Sequence, residues 1–191
     1  MSDFALYFIT GWHHIISYNA LDHILFIVAL TAIYLAPNYK QVLILVTAFT
    51  IGHSFTLALS VYDILRINAN LVEFLIPCTI FATAVSNFFI KDFQPKSLRL
   101  NYFLALFFGL IHGMGFANSI RFMLAKGDHI ALPLLSFNLG LEAGQIMVVA
   151  IILSVSYITV NIAGLKRRWW VWGLSTLAIC IATKMILERV L

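Results

Sequence analysis

The sequence predicts an all-α integral membrane protein, a compact bundle of about six transmembrane helices preceded by a short N-terminal interfacial or partly inserted helix. Three observations lead there. Of 191 residues, 62% are hydrophobic and only 10% charged, with a mean hydropathy of +0.96, and so little polar surface cannot cover a water-soluble globule. The apolar segments run for roughly 17–25 residues, the length that crosses ~30 Å of hydrocarbon as helix. Barrel strands would be shorter and would alternate polar with apolar, so helices are expected. The net charge of +4 and pI near 9.2 arise from basic residues in short loops. Membrane topology accounts for those residues, and no nucleic-acid partner is expected.

The chain is read as a single polytopic domain, 1–191. Its N-terminal segment, 1–19, carries Gly11, His13 and His14 and is short for a full crossing at ~1.5 Å per residue. The first full helix is expected over about 20–36, with Asn19 as N-cap, Asp22 in the first turn and Pro37-Asn38 as the stop. A second, over about 39–62, is polar for a membrane span: Thr47, Thr50, His53, Ser54, Thr56 and Ser60 include small hydroxyls that permit close helix approach. The third, about 71–90, holds Pro77, a candidate kink. The fourth, about 100–124, contains GLIHGMGFANS, and the fifth, about 131–160, contains SFNLGLEAGQ. Trp169, Trp170 and Trp172 open the sixth, about 169–189, as interfacial anchors.

Cys78 and Cys180 fall inside apolar segments without CxxC or finger spacing, so no disulfide framework is expected. The first residues lack the basic region and cleavage site of a signal peptide, and Met1 onward is read as mature protein. Lys40, Lys91, Lys96, Arg99 and Lys166 to Arg168 fall on one side of the membrane. Arg66, Arg121, Lys126, Lys184 and Arg189 fall on or near the other. The positive-inside rule makes the first set cytoplasmic and turns the C-terminus outward, in a bacterial inner membrane.

The stretch HHIISYNALDH, His13 to His23, concentrates polar groups at the start of an apolar run, and ionisable residues within membrane spans mark functional sites. Counting along the helices sets His53, His112 and Glu142 each ~17–20 Å from a membrane face, with Asp22 and His23 nearer the outer rim. Asn138, Glu142 and Gln145 follow i, i+4, i+7 and share a face, which makes Asn138 and Gln145 supporting hydrogen-bonders to Glu142, with Ser54 in the same role beside His53. Gly109 and Gly113 flank His112 in GxxxG spacing, as Gly140 and Gly144 flank Glu142, so these helices are stripped of bulk for packing.

Taken singly, each of these groups has a plainer reading. A lone imidazole serves as an interhelical hydrogen-bonder, Asp22 suits a helix N-terminus, and Glu142 can sit as a neutral acid on a carbonyl. Converging at similar depth, they point to a shared metal or proton-coupled site built from His14, Asp22, His23, His53, His112 and Glu142. Adjacent residues on a helix point ~100° apart, so only one of His13 and His14 faces the bundle, and His14 is assigned. His129, beside Asp128 in a loop, is read as solvated.

Four motifs, HIISYNALDHILFIVAL, TAFTIGHSFTLALS, LFFGLIHGMGFANS and LLSFNLGLEAGQI, together resemble the HupE/UreJ family, small membrane proteins associated with hydrogenase and urease maturation and regarded as nickel permeases. The resemblance spans Gly11 to about Val149. It implies that the family's His-spacer-Asp-His motif falls on His14, Asp22 and His23, and its later His-Gly element on His112 and Gly113. The spacer from His14 to Asp22 is seven residues where hydrogenase-linked members have five. The later element reads HGMGFA in place of their HGxAxG pattern, which sets the chain in a broader branch.

Imidazole with carboxylate suits Ni²⁺, Co²⁺, Zn²⁺ or Cu²⁺. The expected function is therefore a permease for a divalent transition metal ion. The resemblance favours Ni²⁺, with Zn²⁺ or Co²⁺ as alternatives. No GxxxxGKS motif is present, so a gradient or a separate subunit has to drive uptake. The alternative is an intramembrane zinc hydrolase using the same cluster, although no HExxH motif favours it. A metal-free structural membrane partner ranks third. The expected partners are the lipid bilayer, the metal ion, and a second copy of the chain or a metallochaperone.

Overall fold

The structure is a computed structural model that describes residues 3–17, 20–90, 98–116 and 130–190. The helices are α1 (Asp3–Ile16), α2 (Leu21–Thr31), α3 (Tyr39–Val61), α4 (Ala69–Ser86), α5 (Leu98–Gly115), α6 (Ala131–Ser156) and α7 (Arg167–Val190). Short 3-10 turns occupy Ala36–Asn38 and Asn87–Phe89, and α6 continues as a π-helical run over Tyr157–Ile162. Among the described residues there is no strand. Four helical stretches are long and apolar enough to cross a membrane: Ala36–Val61, Ala69–Phe89, Ala131–Ile162 and Arg167–Arg189. The bent pair α1 and α2, inclined at 66°, makes a fifth if joined as one broken span, and the apolar Asn101–Gly115 is shorter. Their outer faces carry exposed Phe, Leu and Ile, such as Phe55, Phe103, Leu135 and Ile151, as lipid contact requires. The chain is an integral membrane protein.

The N-terminal segment does more than lie along an interface. Ser136 Oγ donates to the Phe4 carbonyl at 2.5 Å, Gly140 rests on the Phe8 carbonyl, and Gly144 meets Trp12 and Ile15. Contacts that advance together along both helices mean that α1 and α6 run parallel. The same register joins α3 to α5, where Gly109 rests on the Phe49 carbonyl and Gly113 on the His53 carbonyl. Without a hydrophobic force between helices in lipid, backbone contact of this kind is what holds them together.

The helix expected over about 20–36 is shorter than that. It starts at Leu21 with Ala20 in the cap position, and Asn19 lies outside the described residues. It stops at Thr31 because partners from other elements take up carbonyls at its end. Asn87 Nδ2 donates to Ala29 O at 2.8 Å, and Arg167 Nη2 to Ile33 O at 2.5 Å. Pro77 does not break α4, which runs through it. Having no N–H, Pro77 leaves the carbonyl of Glu73, four residues earlier, without its helical donor. The Arg189 guanidinium of α7 donates to that carbonyl.

A Cβ on Gly140 would stand 2.0 Å from the Phe8 carbonyl oxygen, whereas one on Gly173 would meet nothing within 4 Å. Gly140→Ala is therefore expected to destabilise the detergent-solubilised protein by ~1–3 kcal/mol. Gly173→Ala leaves it unchanged or slightly more stable, and thermal unfolding of the two variants side by side checks the contrast.

Candidate metal centre

Four imidazoles meet where α1, α2, α3 and α5 converge. His14 comes from the last turn of α1, His23 from the first turn of α2, His53 from α3 and His112 from the last turn of α5. The His23 ring centroid lies 4.7 Å from His14, 5.0 Å from His112 and 6.0 Å from His53. One ligand nitrogen each from His14, His23 and His53 fall within 4.8 Å of one another. An ion with ~2.1 Å bonds keeps its ligands no more than ~4.2 Å apart, so a modest contraction of the three rings would close them on a metal. The Gly113 contact on the His53 carbonyl fixes the spacing of α3 and α5, and hence of His53 and His112. The approach of α1 to α6 at Gly140 and Gly144 positions His14.

The ring nitrogens are short of partners. His14 Nε2, His23 Nε2, both nitrogens of His53, and His112 Nδ1 are buried with no hydrogen bond among the described residues. Buried polar atoms normally have one, and a cluster of unpartnered imidazole nitrogens is the donor set a transition metal ion satisfies. Asp22 completes the arrangement from behind. Its Oδ1 accepts from His23 Nδ1 at 2.9 Å and from the His23 backbone N–H at 2.8 Å. A proton on Nδ1 leaves the Nε2 lone pair directed at the other rings, the role a carboxylate plays behind a metal-binding histidine. His112 Nε2 lies 3.4 Å from Thr79 Oγ1.

A cavity of about 390 Å³ opens onto this cluster, lined in part by His14, Asp22, His23 and His112, with Glu73 and Arg189 also in its wall. His53 is fully buried. Glu73, Arg189, Thr79 and Phe116, whose ring centroid is 4.0 Å from that of His14, are neighbours of the cluster that sequence reasoning did not single out. Glu73 and Arg189 sit near helix ends, where charges are ordinary, and Thr79 carries no distinguishing signal.

Glu142 is not in this group. Its Oε1 accepts from Thr47 Oγ1 at 2.8 Å, and Gln145 Oε1 accepts from Thr50 Oγ1 at 2.8 Å, so the acid belongs to a separate polar line between α3 and α6. Thr47 stands ~9 Å before His53 along α3, and it is Phe137, not Glu142, whose ring lies 6.5 Å from that of His53, so Glu142 sits at a different level of the bundle from the one the count along its helix gave. Asn138 Oδ1 has no hydrogen-bond partner among the described residues. Ser54 is half-buried and does not line the cavity. Asp22 and His23, expected at the outer rim, instead stand beside His53 and His112 at the break between α1 and α2. His13 is exposed while His14 faces the cluster, and His129 lies outside the described residues.

This geometry separates the residues by their effect on binding. In calorimetric titration of purified protein with Ni²⁺, Asp22→Asn is expected to weaken binding ~10–100-fold by removing the anion behind His23. Glu142→Gln is expected to change it less than ~2-fold, and a loss as large as that of Asp22→Asn would return Glu142 to the centre.

Comparison with curated proteins and with solved structures finds no match. The family model described as HupE / UreJ protein matches residues 1–189. With that match covering nearly the whole length, and with its histidines gathered inside a membrane bundle, the chain belongs to the HupE/UreJ family.

Proposed function

We propose that the protein is a permease for a divalent transition metal ion, Ni²⁺ first among the candidates, and that His14, His23, His53 and His112 bind the ion in transit with Asp22 orienting His23. The observation that carries this is the set of unpartnered nitrogens on four buried imidazoles drawn from four helices, reached through an open cavity. Membership in a family associated with metal transport supports it. Imidazole donors with a carboxylate behind them select late first-row divalent ions over Mg²⁺ or Ca²⁺, which require oxygen ligands. The cation loads from the cavity side onto His14 and His23, which group with the fully buried His53, and His112 stands on the side of Thr79.

The orientation follows the charges. Lys40 lies in the first turn of α3, and Lys166 to Arg168 flank the start of α7. On this reading that end faces the cytoplasm of a bacterial inner membrane, and the C-terminus and the large cavity face outward. With no GxxxxGKS motif in the sequence, the flux on this reading is driven by an ion gradient or a partner subunit. A second copy of the chain or a metallochaperone at the inner face is consistent with this role.

Reconstitution into proteoliposomes tests the proposal. Wild type is expected to accumulate Ni²⁺, and His23→Ala to lose uptake by ~100-fold or more. Equal uptake by wild type and His23→Ala would overturn the site assignment. A stoichiometric zinc that survives dialysis, with no uptake of any divalent ion, would favour the hydrolase.

A further inference from the structure

A second cavity lies on the far side of the histidines from the first. It holds about 60 Å³ and is lined by Tyr34, Thr83, Ser86, Asn87, Asn101 and Phe108, among others. These residues come from the end of α2, the end of α4 and the beginning of α5, which is the membrane face opposite to the start of α4 and the end of α7 where the large cavity opens. Its polar lining is neutral and mostly oxygen. Asn101 Nδ2 donates to Tyr34 Oη at 3.0 Å, and Thr83 and Ser86 donate to carbonyls of their own helix. A stripe on α4 links the two regions. Thr79 Oγ1 is 3.4 Å from His112 Nε2, and Thr83, Ser86 and Asn87 follow it at helical spacing into the small cavity.

Between the cavities stands an aromatic layer. The Phe26 ring centroid is 5.3 Å from His112, 5.4 Å from Phe108 and 5.0 Å from Phe49. Phe49 in turn is 5.2 Å from His112. Phe108 belongs both to this layer and to the lining of the small cavity.

We propose that the small cavity is the exit station of the metal path, a low-affinity site of hydroxyl and amide oxygens, closed off from the histidine centre by the Phe26–Phe108 layer. The assignment rests on the permease reading and names what lies beyond its binding centre. A path that holds its ion on imidazoles needs a weaker site downstream, because conduction requires binding favourable enough to enter and weak enough to leave. Neutral oxygen donors hold a late transition metal ion less tightly than imidazole does. About 60 Å³ accommodates roughly two waters at ~30 Å³ each, enough for an ion still partly hydrated. Apolar rings closing a narrow path block it by dewetting, and their separation would connect the two stations.

Oriented proteoliposomes test this in a background carrying Cys78→Ala and Cys180→Ala. Thr83→Cys and, as the more conservative variant, Ser86→Cys are expected to react with a membrane-impermeant thiol reagent only from the face bearing Lys40. Glu73→Cys is expected to react only from the opposite face. Adding Phe108→Ala to Thr83→Cys opens it to reagent from the Glu73 side as well. In uptake assays Asn101→Leu lowers the Ni²⁺ rate ~5-fold or more while the equilibrium affinity at the histidine centre stays within ~2-fold, since the residue acts after binding. Failure of both Thr83→Cys and Ser86→Cys to label from either face, or wild-type uptake by Asn101→Leu, would overturn the exit station and leave the permease reading intact. Absence of uptake by wild type would overturn both.

Discussion

Everything in the bundle depends on how closely two pairs of parallel helices approach. Lipid chains are as apolar as leucine, so helices in a bilayer gain little by hiding apolar faces from it, and van der Waals contact between backbones becomes the main cohesive force. Here that contact is made at Gly109 and Gly113 on α5 against α3, and at Gly140 and Gly144 on α6 against α1. One pair sets His53 next to His112 and the other sets His14 opposite both. His23 then arrives on α2, whose end is tied down by Asn87 and Arg167. The four histidines thus stand on backbones spaced by direct contact, an arrangement that holds their ring nitrogens to small tolerances.

Much of this was legible in the residues. Long apolar runs separated by charged loops define membrane helices because hydrocarbon admits little else, and α3, α4, α6 and α7 lie on such runs, while the end of the run expected to reach about 124 lies outside the described residues. The histidines could be selected for the same reason, since an imidazole in a span has to be used or satisfied. The register between helices could not be read. Glu142 meets Thr47 while His53 meets Phe137, so the acid and the imidazole stand at different levels, and no count along one helix fixes how far a neighbouring helix slides against it. Nor could the break between α1 and α2 be placed. The segment before Leu21 is short for a full crossing and reads as interfacial or partly inserted, and the contact of Gly140 with the Phe8 carbonyl sets it along α6.

That break explains why the densest polar motif sits where it does. At the end of α1 and the start of α2 backbone groups lose their helical partners, and helix ends carry partial charges of opposite sign. Discontinuous helices in transporters place substrate and ion sites at such points, because irregular backbone inside a membrane is tolerated only where it lines a cavity. Asp22 in the first turn of α2 suits the helix dipole and orients His23 in the same stroke. The motif that reads along the chain as a cluster at the membrane edge brings together, in three dimensions, the end of α1 and the start of α2.

Pro77 has a consequence beyond shape. Its missing N–H turns the Glu73 carbonyl into a socket, and the Arg189 guanidinium fills it. A positive charge thereby stands in the wall of the cavity beside the histidines, with the carboxylates of Asp22 and Glu73. A divalent ion entering that cavity would gain twice what a monovalent ion gains from the acids and lose twice as much to the guanidinium. The balance between attraction and repulsion there is set by a proline on one helix and an arginine at the far end of another.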